Sequence, residues 1–200
     1  MRVRRSKACR GHQFRKQKMT LSYYYILSSM PMLKRGELPP LNSETFLGSC
    51  AQVLPEKTVA RLSEIKLVPG DDKAFGHFSA VHKWYEWETA TRTRLAKFRA
   101  VHLNREGRNH ETNHSEVDKH IEDIMSVANP VERERMLDTL RWKFLDELEF
   151  GQNFNFDALC IYRIRLMLLE KWVGKEQQKG YENLDAIINN LEKYEVSISR

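Results

Sequence analysis

Apolar residues recur along this chain at spacings of three and four, the period of one helix face, and no segment of strict alternation competes with them. Leu184, Ile187, Ile188, Leu191 and Tyr194 give the cleanest stripe, at i, i+3, i+4, i+7 and i+10. Breakers and caps divide the rest of the chain. The aromatic stretch Leu21–Met30 suits either a strand or a helix, with helix preferred, and Pro31 and the 34–40 loop end it. Asn42 and Ser43 offer N-caps for a short helix through Phe46, Leu47 and Val53. Pro55 suits the first turn of the next helix, with Val59, Leu62 and Ile65 on one face. The break Pro69-Gly70-Asp71-Asp72 precedes a long uninterrupted helix from about Ala74 to Asn104, a rod of roughly 45 Å. The polar segment 105–113 is expected to be a loop, and Ser115-Glu-Val-Asp118 resembles a capping box opening a helix to Ala128. Asn129-Pro130 opens a helix over 131–150 that Gly151 closes, and Asn155 caps an apolar helix over 156–173. Residues 174–180 form a linker to the final stripe. The fold expected is all-α, a long central helix with a compact helical bundle, as a single domain over 19–200 with room for lobes at 19–114 and 115–200.

Projecting these helices at 100° per residue places charges on apolar arcs. Arg165 falls among Ile161, Leu168, Trp172 and Leu169, and Glu147 falls between Met136 and Leu140 on the preceding helix. The short turn at Gly151 makes the two helices an antiparallel pair. Glu147 and Arg165 are therefore expected to be buried, paired with each other or with a third buried charge. On the long helix Glu88, Arg92 and Arg99 share a side with Val81, Tyr85 and Leu95, while Lys83, Glu86 and Lys97 face away. These charges, with Trp84, Trp87 and Trp142, are the candidates for an interface or a buried ion-pair cluster.

Charge changes the picture less than its total suggests. The 200 residues carry a net +6, but eight bases and no acid lie in residues 1–18. The other 25 bases face 27 acids, so the expected domain is slightly acidic and the basicity belongs to a tail expected to be disordered. Such a tail supports at most non-specific, salt-sensitive nucleic-acid binding, and nucleic acid is not the expected partner. An apolar content of 41% is ample for a core. Cys9, Cys50 and Cys160 have no metal-ribbon spacing and are odd in number, and Cys50 and Cys160 are expected to be small core residues in a reducing compartment. No stretch reaches the roughly 20 apolar residues that a span needs. Met19 is read as the natural start, behind an upstream extension.

Candidate chemistry is sparse. His110-Glu111-Thr112-Asn113-His114 matches the H-E-x-x-H spacing of zinc proteases, which requires both histidines on one face of a continuous helix. Here it lies in a polar, glycine-containing stretch beside a helix cap, and a solvated loop binding no metal is expected. No phosphate loop, nucleophile elbow or dinucleotide fingerprint is present in the sequence. No catalytic residue, metal or cofactor is assigned, and the expected role is protein–protein contact.

Three blocks together carry a family resemblance: Tyr23 to Leu33 with Pro39-Pro40, Trp84 to Glu88 leading to Arg99-Ala100, and Leu140 to Gly151 followed by Phe154 to Leu159 and Leu168 to Trp172. With them the chain resembles, from roughly Tyr23 to Leu191, an uncharacterised bacterial family encoded within V-type ATPase operons. Its genes lie where one for the all-helical socket between the proteolipid ring and the central stalk would be expected. The resemblance implies a non-catalytic accessory or stalk-like component of a V-type ATPase or ATP synthase, similar in role to that socket. Its partners would be subunits of the central stalk or the proteolipid ring. Its location would be cytoplasmic, peripheral to the inner membrane through those partners. The alternative is a nucleic-acid-associated helical protein acting through the basic tail.

Overall fold

A computed structural model describes residues 21–70, 75–76, 79–102 and 115–175, with backbone alone for 101–102 and 115–119. The basic tail, the His110–His114 motif and the stripe from Leu184 to Tyr194 lie outside the described residues. Every regular element among the described residues is a helix, and the fold is all-α. In chain order these are α1 (21–29), α2 (Ser43–Ala51), α3 (Glu56–Ser63), α4 (Ala80–His102), α5 (Ser115–Ser126), α6 (Pro130–Glu149) and α7 (Phe156–Glu170).

Local chemistry sets most of these boundaries. The Asn42 side chain accepts from Thr45 N, that of Asn129 from Val131 N and that of Asn155 from Ala158 N, so three helices begin where an asparagine satisfies an amide left free by the first turn. Pro130 occupies the first turn of α6, where its missing N–H costs nothing. Gly151 takes φ 81°, a left-handed conformation that reverses the chain after α6. The long helix starts at Ala80 rather than 74, because Gly76 at φ 80° turns the chain just before it. Likewise α7 stops at Glu170, and Lys171–Gly174 form a turn that ends with Gly174 at φ 76°.

Nine of the fifteen residues of α7 are buried, so this helix is the axis on which the fold is built. Around it the main core gathers Tyr23 and Ile26 of α1, Phe46 and Cys50 of α2, Leu62 of α3, Trp84 of α4 and Leu145 of α6. A smaller second core joins Leu95 of α4 to Ile121 and Ile124 of α5 and Leu137 of α6. Helices α6 and α7 form an antiparallel hairpin: Lys171 meets Glu134 at its open end, and Arg165 meets Asp146 near its turn. No helix among the described residues is long and apolar enough to cross a membrane.

Candidate interaction site

Between the two cores runs a seam of charge. Glu88 lies on the buried face of α4, and its side chain is 0% exposed. Its carboxylate receives both arms of one guanidinium: Arg141 Nε donates to Oε2 at 3.0 Å, and Nη2 donates to Oε1 at 2.9 Å. That two-armed geometry is the strongest arrangement available to an arginine and a carboxylate. One turn along α4, the half-exposed Arg92 adds Nε to Glu88 Oε1 at 2.8 Å. Arg141 also donates through Nη1 to Asp138 Oδ1 at 2.8 Å and Glu134 Oε1 at 3.0 Å. From the end of α7, Lys171 Nζ reaches the same two acids, at 2.6 Å from Glu134 Oε1 and 2.8 Å from Asp138 Oδ1. Trp172 completes the set by donating Nε1 to Asp138 Oδ2 at 2.7 Å. Three acids and three bases thus tie α4, α6 and the end of α7 together with no net charge.

The electrostatics follow from that balance. Burial alone would pull Arg141 down, but the hydrogen bonds and charges of Glu88 and Asp138 reverse this and hold it above its ordinary value. Burial would likewise raise Glu134, yet Lys171 and Arg141 keep its carboxyl below the usual carboxylate range. A second polar tie lies on the other side of α7. Arg163 Nη1 donates to Ser43 Oγ, and Ser43 Oγ donates to Glu170. Burial lowers Arg163, with Glu170 opposing it.

The sequence-derived candidates divide sharply. Glu88 is buried as projected, with Val81, Tyr85 and Leu95, while Lys83 and Glu86 are exposed. Lys97 is half-buried rather than turned away, and Arg99 is exposed. Arg92 is joined to Glu88 but stands partly in solvent. Trp84 and Trp87 are core residues, stacked at 5.9 Å, and Trp87 stacks in turn on Phe144 at 4.7 Å. Trp142 is half-buried, with the Arg165 guanidinium 5.4 Å from its ring centroid.

The expected burial of Glu147 and its pairing with Arg165 are overturned. Glu147 is exposed, and Arg165 binds Asp146 at 2.5 Å and Glu149 at 2.7 Å instead. The buried face of α6 is Leu137, Asp138, Arg141 and Leu145, turned by about one residue, roughly 100°, from the arc centred on Met136, Leu140 and Phe144. Asp138 and Arg141, the residues that periodicity missed, count as solvent-facing in any hydrophobicity pattern. Their i, i+3 spacing on one helix was the available signal.

The seam also borders a groove. Asp138 and Trp172 form part of the wall of an open groove of about 470 Å³ between α6, the end of α7 and the 35–38 loop. Trp172 sits among cations: Lys171 Nζ, Lys175 Nζ and the Arg135 guanidinium lie 5.3, 5.5 and 5.6 Å from its ring centroid. At the hairpin turn the surface is apolar instead. Phe150 is 91% exposed, and Phe154 meets the exposed Tyr24 of α1 edge-on at 4.6 Å. Among the described residues no cluster of three His, Cys, Asp or Glu side chains could hold a metal ion.

Residues 106–195 match the family described as "Protein of unknown function (DUF2764)". That span includes Glu134, Asp138, Arg141, Lys171 and Trp172, and leaves Glu88 outside it. No curated protein and no solved structure matches the chain.

Proposed function

We propose that this chain is a non-catalytic accessory or stalk-like component of a bacterial V-type ATPase, acting by protein–protein contact in the cytoplasm and reaching the membrane only through its partners. The identity of the partner rests on the family resemblance. The mode of action rests on one observation: the buried charges satisfy one another across α4, α6 and α7, while apolar side chains face outward at the turn of the α6–α7 hairpin and cationic ones gather around Trp172 at its open end. A rigid frame with exposed aromatic and arginine side chains is what a docking protein presents, since those side chains dominate binding energy at interfaces. The blocks that carry the resemblance fall on this frame. Leu140 to Gly151 supplies Arg141, Trp142 and Leu145, and Leu168 to Trp172 supplies Lys171 and Trp172.

Chromosomal tagging and purification of the rotary ATPase from the native cell tests the proposal. The chain should co-purify at fixed stoichiometry with both the V1 and Vo sectors. An intact ATPase recovered without it, from cells that express it, would overturn the reading.

A further inference from the structure

We infer that the groove beside Trp172 receives an acidic, amphipathic segment of a partner protein. The floor is apolar, built by Trp142, Leu168, Leu169 and Trp172, and Leu38 overhangs it at 78% exposed. A cavity of about 470 Å³ holds a few inserted side chains, the geometry of a helix laid into a groove.

The rim supplies the sign of the charge. Arg35 on the loop, Arg135 on α6 and Lys175 after α7 approach the groove from three walls, and all three are exposed. Arg35 donates to the neutral Thr139 hydroxyl, and Arg135 and Lys175 rest against the Trp172 ring. Among the described residues none of these three cations has a carboxylate partner. The two acids at the same groove are already engaged: Glu37 by Lys34 at 3.6 Å, and Asp138 by Arg141, Lys171 and Trp172. Among the described residues the groove therefore offers positive charge without a carboxylate partner around an apolar floor. An occupant with leucine-like anchors and flanking carboxylates complements both features. A nucleic-acid backbone or a headgroup layer would match the charge and leave the concave apolar floor unfilled.

This inference deepens the proposed role but does not depend on which assembly the partner belongs to, so its test can fail separately from co-purification. The probe is a synthetic fluorescent peptide of leucine and glutamate, with leucines at i, i+3, i+4 and i+7, titrated against the full chain beside its lysine-for-glutamate twin. The acidic peptide should bind in the micromolar range, change tryptophan emission, and weaken as salt is raised. The Arg135→Glu/Lys175→Glu double variant, with an unchanged circular dichroism spectrum and melting temperature, should bind it at least tenfold more weakly. Lys83→Glu, an exposed charge reversal on α4, should bind as the parent does. Equal binding of the two peptides, no binding, or acidic-peptide binding that survives the double reversal would each overturn the assignment. So would tight, reversal-sensitive binding to vesicles containing anionic phosphatidylglycerol with none to the peptide, which would give the groove to a membrane surface. Binding that appears only after removal of residues 176–200 would give the groove to the chain itself and likewise overturn it.

Discussion

Two arginines of the α6–α7 hairpin invite comparison. Arg141 and Arg165 have similarly shielded side chains, 8% and 12% exposed, and each makes close ion pairs with two or more carboxylates. Their partners differ. Arg141 binds Glu88, which is fully shielded, and Asp138, which is 10% exposed, besides Glu134 at 41%, whereas both partners of Arg165 stand 56% and 48% in solvent. An ion pair whose acid can fall back on water loses little when broken. One whose acid is sealed in leaves an uncompensated charge behind. The structural weight of an arginine is thus set by where its partners sit, more than by its own burial.

The largest test of this contrast is Glu88→Ala. Removing one member of the sealed pair is expected to cost about 3–5 kcal/mol. At this chain length that lowers the melting temperature by roughly 6–20 °C, measured by calorimetry or circular dichroism. A loss under about 1 kcal/mol would break the contrast, because the seam would then be no stronger than a surface pair. Acid titration sharpens it next. Glu134 is held below its ordinary value near 4.5, so its contribution is present above that pH and lost as pH falls through the lower, folded value. Stability should therefore decline below about pH 4.5, and Glu134→Gln should make that decline shallower while leaving the slope near pH 7 unchanged. A third test is Arg165→Ala, expected to cost about 1 kcal/mol, from a weak exposed pair and the lost cover over Trp142. Smallest of all is Glu147→Ala, which should change stability by no more than about 0.5 kcal/mol, as Glu86→Ala should. A cost for Glu147→Ala near that of Glu88→Ala would restore the pairing that the structure excludes.

The same contrast explains what the sequence could reveal. Caps at Asn42, Asn129 and Asn155 and the turn at Gly151 are local chemistry, and they could be read off directly. Glu88 was also legible, because α4 surrounds it with Val81, Tyr85 and Leu95, leaving a lone acid on an apolar face. Helix α6 misled because its buried face is itself charged. Asp138 and Arg141 look like solvent positions, and an arc drawn only through apolar residues turns away from them. What makes them tolerable inside is Glu88, 53 residues before Arg141, and Lys171, 33 after Asp138; no single-helix projection contains either. The groove was hidden for the same reason. Arg35 and Arg135 share it across a hundred residues of chain, and Trp172 belongs to a turn where the apolar pattern alone suggests a longer helix.

The central place of α7 also governs the order in which the protein can be made. Its residues 156–170 are synthesised after α1 to α6, yet Phe46, Leu62 and Trp84 share a core with Leu159, Ile161 and Ile164. At about 5–20 residues per second, the ribosome takes several seconds to travel from Trp84 to the end of α7. Through that interval the apolar faces of α1 to α4 wait without the helix that covers them, and the Ser43–Glu170 bond closes only at its end. A ribosome stalled before residue 156 should accordingly display a protease-sensitive chain, and the released chain should resist the same protease.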